Sequence, residues 1–269
     1  MKEMKKFFSF AAFALLTSAM AFSLAACGGD DDEDTPEDPQ EQPGGEDTEE
    51  IIDVPNPSIV AGTEGGHDYV DLGLPSGIMW ATCDVGADKP EASGNKYAWG
   101  ETEPKDSYDK ENYKYYIANN TYTKYDGYTD ASVLLYTLEP EDDAATVNWG
   151  SRWRMPTQGE FVELFINTHH LWKENYNGTG VSGMKFINKK DAKKYIFVPV
   201  EVSTRPNGDY YGTTRYWTSS IMYSREESGD VLSSEVTHSK FGDIISDDCD
   251  TDFIVHRSYG LPVRPVIAK

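Results

Sequence analysis

Basic residues are few. The chain of 269 residues holds 24 Lys and Arg against 46 Asp and Glu, a formal charge of −22. Three of the bases and one Glu fall in the first six residues, which leaves 21 bases and 45 acids over residues 27–269. A surface this negative repels nucleic-acid phosphates and anionic lipid heads, so neither is expected as a partner. Several catalytic signatures are missing as well. No phosphate loop occurs, and Ser219 and Ser220 lack the Gly-x-Ser-x-Gly elbow of a nucleophilic serine. None of the five His (His67, His169, His170, His238, His256) stands at zinc spacing with Cys, and His169-His170 lacks the His-Glu-x-x-His pattern. Acids are so frequent that pairs of them do not single out glycoside hydrolysis. Cysteine is limited to Cys27, Cys83 and Cys249.

What is present begins with a leader. Lys2, Lys5 and Lys6 precede an apolar run over residues 7–26, which ends in Ser23-Leu24-Ala25-Ala26-Cys27. Basic head, apolar middle and small residues before a cut predict a secretory signal peptide at residues 1–26 rather than a membrane anchor. Leu24-Ala25-Ala26-Cys27 resembles the lipobox of bacterial lipoproteins, which implies that the Cys27 thiol carries diacylglycerol and ties the mature chain to a membrane. Residues 28–53 hold thirteen acids, no base and no aromatic ring. Such a segment cannot bury enough apolar surface to offset its ordering entropy, so residues 27–54 are expected to be a disordered tether, uncoupled from the rest of the chain. Gly28-Gly29 followed by Asp30-Asp31-Asp32-Glu33-Asp34 is similar to the surface-export signal of Bacteroidetes lipoproteins, which implies the outer face of the outer membrane.

Composition changes at residue 55. All six Trp and all seventeen Tyr lie beyond it, with 21 bases and 32 acids. About 215 residues without a fixed repeat or a second linker predict one domain over residues 55–269. Strands are expected at 69–72, 78–82, 96–99, 195–200, 216–220, 231–236 and 263–267. Residues 101–130 hold seven Tyr without clean periodicity and read as a long, partly ordered loop. Thr157 and Glu160 form a capping box before Phe161, Val162, Leu164, Phe165 and Ile166, so a helix is expected over 157–167. A weaker one is expected from Pro140, where Glu141, Asp142 and Asp143 suit the positive end of the dipole. Helices followed by strands predict α+β.

Five ordered motifs carry a family resemblance. The opening runs from His67-Asp68-Tyr69-Val70-Asp71-Leu72-Gly73-Leu74-Pro75-Ser76-Gly77 through Ile78-Met79-Trp80-Ala81-Thr82-Cys83-Asp84-Val85-Gly86-Ala87. It is followed by Tyr97-Ala98-Trp99-Gly100-Glu101-Thr102. In the middle come Asp142-Asp143-Ala144-Ala145, Asn148-Trp149-Gly150 and Trp153-Arg154-Met155-Pro156-Thr157. The last two are Tyr216-Trp217-Thr218-Ser219-Ser220 and Leu261-Pro262-Val263-Arg264-Pro265-Val266. Over residues 67–267 the chain resembles the major paralogous domain of Fibrobacter and Bacteroidetes surface proteins (FISUMP). The resemblance implies a C-type-lectin-like fold with two helices and small antiparallel sheets, and no fixed activity. Trp80, Trp99, Trp153 and Trp217 are expected in the core, with Arg154 and Arg264 buried on acceptors.

These readings converge on a surface-anchored binding or adhesion module for a glycan, a host protein or an envelope component. In the lectin-like plan residues 220–261 are expected to carry loops framed by Trp217 and Arg264. Tyr223, Glu226, His238, His256, Arg257 and Tyr259 are the candidate ligand contacts, because polar and aromatic loops on a rigid frame suit recognition. The Tyr-rich segment 108–128 is the alternative place. Asp247, Asp248, Asp250 and Asp252 offer alternate carboxylates; Asp248, Asp250 and Asp252 are candidate Ca²⁺ ligands. An EF-hand would need Gly at Phe253 and Glu at Tyr259, and the Glu-Pro-Asn and Trp-Asn-Asp motifs of calcium-dependent sugar-binding lectins are missing. A solvated acidic run with no metal is the other reading, and no other cofactor is expected. Cys83 and Cys249 could form a disulfide in an exported protein or stay as two free thiols. They are also the candidates if the chain is an enzyme related to formylglycine-generating oxidases. A fimbria-like structural subunit is a third class.

Overall fold

The computed structural model describes residues 53–54, 58–118, 121–125, 137–204, 206–207, 210–221, 230–241 and 244–269. The chain begins its regular structure with β1 (Gly62–Glu64), β2 (His67–Val70) and β3 (Met79–Ala81). A 3-10 turn (Pro140–Asp142) leads into α1 (Ala144–Trp149), then β4 (Trp153–Arg154), α2 (Gln158–Asn167) and β5 (Thr168–Lys173). A second 3-10 turn (Tyr176–Gly178) precedes β6 (Gly183–Asn188) and β7 (Tyr195–Pro199). The last strands are β8 (Val202–Thr204), β9 (Tyr210–Trp217), β10 (Asp230–Phe241), β11 (Ile244–His256) and β12 (Val266–Ile267). They form three sheets, in the orders β1-β2-β3-β12-β4, β11-β10-β9-β8 and β5-β6-β7. Pairings within the sheets are antiparallel. With two helices beside them the architecture is α+β, as the order of elements predicts.

Strand periodicity builds the core. In β3 and β12 alternate side chains enter two different apolar clusters: Trp80 and Val266 join one, Met79, Ala81 and Ile267 the other. The middle of this sheet, at β3 and β12, is therefore buried on both faces. Helix α2 covers the first cluster with Phe161, Leu164 and Phe165, and Phe161 meets Trp80 edge to face at 4.9 Å. The capping box forms as predicted: Thr157 Oγ1 accepts from Glu160 N, and Glu160 Oε2 accepts from Thr157 N at 2.8 Å. The face is narrower than the sequence suggests, since Ile166 is exposed and Val162 only half-buried.

All four tryptophans expected in the core are buried, and three tie distant segments together. Trp217 Nε1 donates to Tyr97 O at 2.6 Å, Trp99 Nε1 to Thr218 O at 2.9 Å and Trp153 Nε1 to Glu64 O at 3.1 Å. Arg264 is buried as expected: its Nε donates to Asp84 Oδ1 at 2.6 Å, and Nη1 to Thr82 O at 2.9 Å. Arg154 departs from expectation. It stays partly exposed and grips the Glu160 carboxylate at 2.5 and 2.7 Å.

Four other expectations are corrected. Residues 96–99 make no strand, only a bridge between Tyr97 and Leu261. The described part of the Tyr-rich segment is a loop by its backbone, as expected, but a packed one that joins the core: Tyr113, Tyr115, Tyr122 and Tyr125 are buried and pack on Trp99 and each other. Their hydroxyls find partners, with Tyr113 donating to Trp99 O at 2.7 Å and Tyr125 to Asp142 Oδ2 at 2.9 Å. The stretch 220–261 is mainly a hairpin, β10 with β11, whose register shifts by a bulge between Ser233 and Glu235. Finally, the domain starts before residue 55. Asp53, at the end of the acidic segment, pairs with Lys185 at 3.0 Å and Lys173 at 2.6 Å, and Val54 O accepts from Lys185 Nζ.

Candidate functional site

Ionic and aromatic groups gather at two places. The first lies beside the Tyr-rich segment. Asp142 is buried and takes hydrogen bonds from Tyr115, Tyr125, Lys114 and Lys124. Burial alone would raise its carboxyl, and these four donors outweigh that and hold it at about 2. Among the described residues, Glu139, Glu141 and Asp142 form the one group of acids close enough to share a metal ion. Lys124 Nζ already lies on all three, at 2.5 Å from Asp142 and 3.5 Å from Glu141. An ammonium thus does there what a bound cation would do.

The neighbouring His256 comes from the end of β11. Its Nε2 lies 3.0 Å from the Tyr122 hydroxyl and its Nδ1 2.8 Å from Ser258 Oγ. Burial, and then the positive charges of Lys110 and Arg257, lower it to about 4. The ring is neutral at pH 7 and held by its neighbours. Arg257 is a correction. It was expected to contact ligand, but only 2 % of it is exposed. It lies 4.1 Å from the Tyr122 ring centroid, and its guanidinium donates to the carbonyls of Tyr125 and Lys124 at 3.1 and 3.3 Å. Tyr259 does reach solvent, half-exposed at the turn after β11.

The second place is an open cleft of about 480 Å³. One wall comes from β2 and the segment after β3, with His67, Asp68 and Cys83; the turn at Ala87 to Pro90 continues it. The floor is the β7 face of the third sheet, where Tyr195 and Phe197 lie beside Tyr176. His67 stacks on Trp149 at 3.7 Å and 5°, and burial lowers its pKa. Asp68 accepts from Thr63 Oγ1 at 2.5 Å, and its backbone carbonyl accepts from Thr82 N. Its neighbour across the motif, Cys83, carries a free thiol. Burial pushes this thiol up, the wrong direction for a nucleophile. The sequence did not point to this cleft. Its walls come from stretches more than 100 residues apart, and the one local signal is the His67-Asp68 pair that opens the first motif.

The other sequence candidates fall elsewhere. His238 lies in β10, paired with Asp247. Asp248, Asp250 and Asp252 lie in β11 rather than in a loop. A strand carries the backbone straight on at about 3.3 Å per residue, so it does not wrap carboxylates around one ion as a calcium loop does. Cys249 sits opposite Val236 in the same hairpin. The leader at 1–26, Cys27, the acidic segment up to residue 52, Tyr223 and Glu226 lie outside the described residues. Comparison of the chain with protein-family models, with curated proteins and with solved structures finds no match in any of the three.

Proposed function

We propose that this chain is a surface-anchored lipoprotein of the outer membrane, and that its domain is a binding or adhesion module on a C-type-lectin-like plan. The anchor rests on the leader and on Leu24-Ala25-Ala26-Cys27. The plan rests on the five ordered motifs, whose residues do the structural work expected of them: Trp99, Trp217 and Arg264 close the centre of the fold. The observation that carries the binding reading is the cleft. It is of ligand size, and rimmed by Asp68, Asp88 and Asn177, which face solvent. The oxidase reading loses support from Cys83, a half-buried thiol whose proton is held more tightly than usual.

Two measurements test this. Cys27→Ser should abolish lipid attachment and release the chain from membranes; retention of the variant would sink the anchor. An array of glycans and envelope and host proteins, probed with the mature chain with calcium and again with chelator, should give ligands lost on Asp68→Asn with Asp88→Asn. Ligands that survive these changes and are lost on Tyr259→Ala would move the site to the turn after β11.

A further inference from the structure

We propose that the cleft receives a cationic side chain, Lys or Arg, presented by a protein partner; this rests on the binding-module reading. The ring faces in the cleft are already used. His67 lies flat on Trp149 at 3.7 Å, Tyr176 lies flat on Phe197 at 3.8 Å and 7°, and the Lys185 ammonium sits 3.8 Å over Tyr195. Trp149, Tyr176, Tyr195 and Phe197 are all buried. No open aromatic face is left for a sugar to stack on, which is how a neutral saccharide would gain most of its contact.

What the cleft offers instead is oxygen. Asp68, Asp88 and Asn177 are exposed at its rim, and among the described residues that line it there is no Lys or Arg; Lys185, over the Tyr195 ring, is paired with Asp53. Asp68 has one carboxylate oxygen held by Thr63, and Asp88 is exposed. Neither belongs to a group of three ligating side chains close enough for a metal, among the described residues. The floor supplies an independent sign. The Tyr195 hydroxyl is buried, with 2 % of the residue exposed. Tyr176 is close enough for the two hydroxyls to influence each other, yet the geometry leaves the Tyr195 oxygen without a hydrogen-bond partner. A buried oxygen of this kind gains from any N–H brought to it. Val60, Ala87 and Pro90 give the apolar surface that the methylene stem of Lys or Arg covers. His67, kept neutral by burial, does not repel the incoming charge at pH 7. The excess of acids over the whole domain draws cations toward it.

The test is calorimetric titration of the full mature chain with a short Gly/Ser peptide carrying three Arg, with its citrulline counterpart and with neutral oligosaccharides. The Arg peptide should bind, and Asp68→Asn with Asp88→Asn should weaken it at least about tenfold. Asp106→Asn with Glu111→Gln removes the same two charges from exposed positions outside the cleft, and should change binding less than about twofold. Ala87→Lys, which places an ammonium in the cleft, should match the loss of the first pair. Equal losses in the two double variants would reduce the effect to general acidity and overturn the inference. So would a citrulline peptide that binds as tightly, or no binding of the Arg peptide at all. An oligosaccharide lost with Asp68→Asn and Asp88→Asn would overturn the cationic ligand while leaving the binding module intact.

Discussion

Arg264 and Lys185 are both buried cations, and the two regions around them solve the same problem differently. Arg264 sits at the centre, 1 % exposed, against Asp84, which is equally buried. Burial opposes both charges, but a guanidinium does not surrender its proton, and Asp84 and Tyr216 beside it raise its pKa further. Tyr216 donates to the remaining Asp84 oxygen at 3.0 Å, so both carboxylate oxygens are engaged, while Arg264 Nη2 is buried without a hydrogen-bond partner. Even the backbone is fitted to it: a Cβ at Gly94 would come within 2.6 Å of Asp84 Cβ. Lys185 lies in the third sheet, 2 % exposed, but its partner Asp53 is 42 % exposed and comes from the N-terminal side. Burial lowers the Lys185 pKa, and Asp53 restores only part of it. The first pair belongs to the fold's interior. The second is a clasp whose acid half stays in water.

The largest expected effect breaks the first pair. Arg264→Met strands a buried Asp84 charge and should cost about 3–5 kcal/mol in denaturant unfolding. Trp217→Ala should fall in the same range, because it removes a fully buried ring and leaves a cavity. A loss under about 1 kcal/mol in either would mean that the centre is not the closed unit described. Next comes the clasp: Asp53→Asn should cost about 1–2 kcal/mol, less than a fully buried pair because water reaches the carboxylate. If its unfolding midpoint matches the parent's, residues 27–54 are an uncoupled tether after all. Lys185→Met removes the buried charge outright and should lie within about 1 kcal/mol of the parent, in contrast to Arg264→Met. The last effect is on pH dependence. His256 titrates near 6.5 when unfolded and at about 4 when folded. The unfolded chain therefore takes up the proton first, and stability present above pH 6.5 is lost as pH falls toward 4. His256→Gln should flatten that limb of a midpoint-against-pH curve.

The elements that the sequence announces most clearly are those whose signals are local. Helix α2 is visible because Thr157, Glu160 and the 3.6-residue spacing of Phe161, Leu164 and Phe165 lie within nine residues. Core tryptophans are visible because so large an apolar ring has few other places to go. Partners far along the chain are not visible. Arg257 reads as a surface charge in a polar stretch until its acceptors, the carbonyls of Lys124 and Tyr125, arrive from more than 130 residues away. The Tyr-rich segment reads as loop because its burial comes from irregular backbone, including Tyr125 in the left-handed region, rather than from any period. The cleft is hidden for the same reason: Asp68, Asp88 and Tyr195 share no local pattern.

The clasp also sets the order in which the domain would feel a pull. Asp53 sits on Lys185, the Ser58 hydroxyl accepts from Tyr195 N, and the Ile59 amide donates to Lys193 O. Tension entering from the N-terminal side meets these contacts before it reaches β1, and meets them one at a time. Ser58 and Val60 are themselves part of the cleft wall. A load that peels this segment would take the wall with it, so the shape of the cleft and strain on the N-terminal side are mechanically joined.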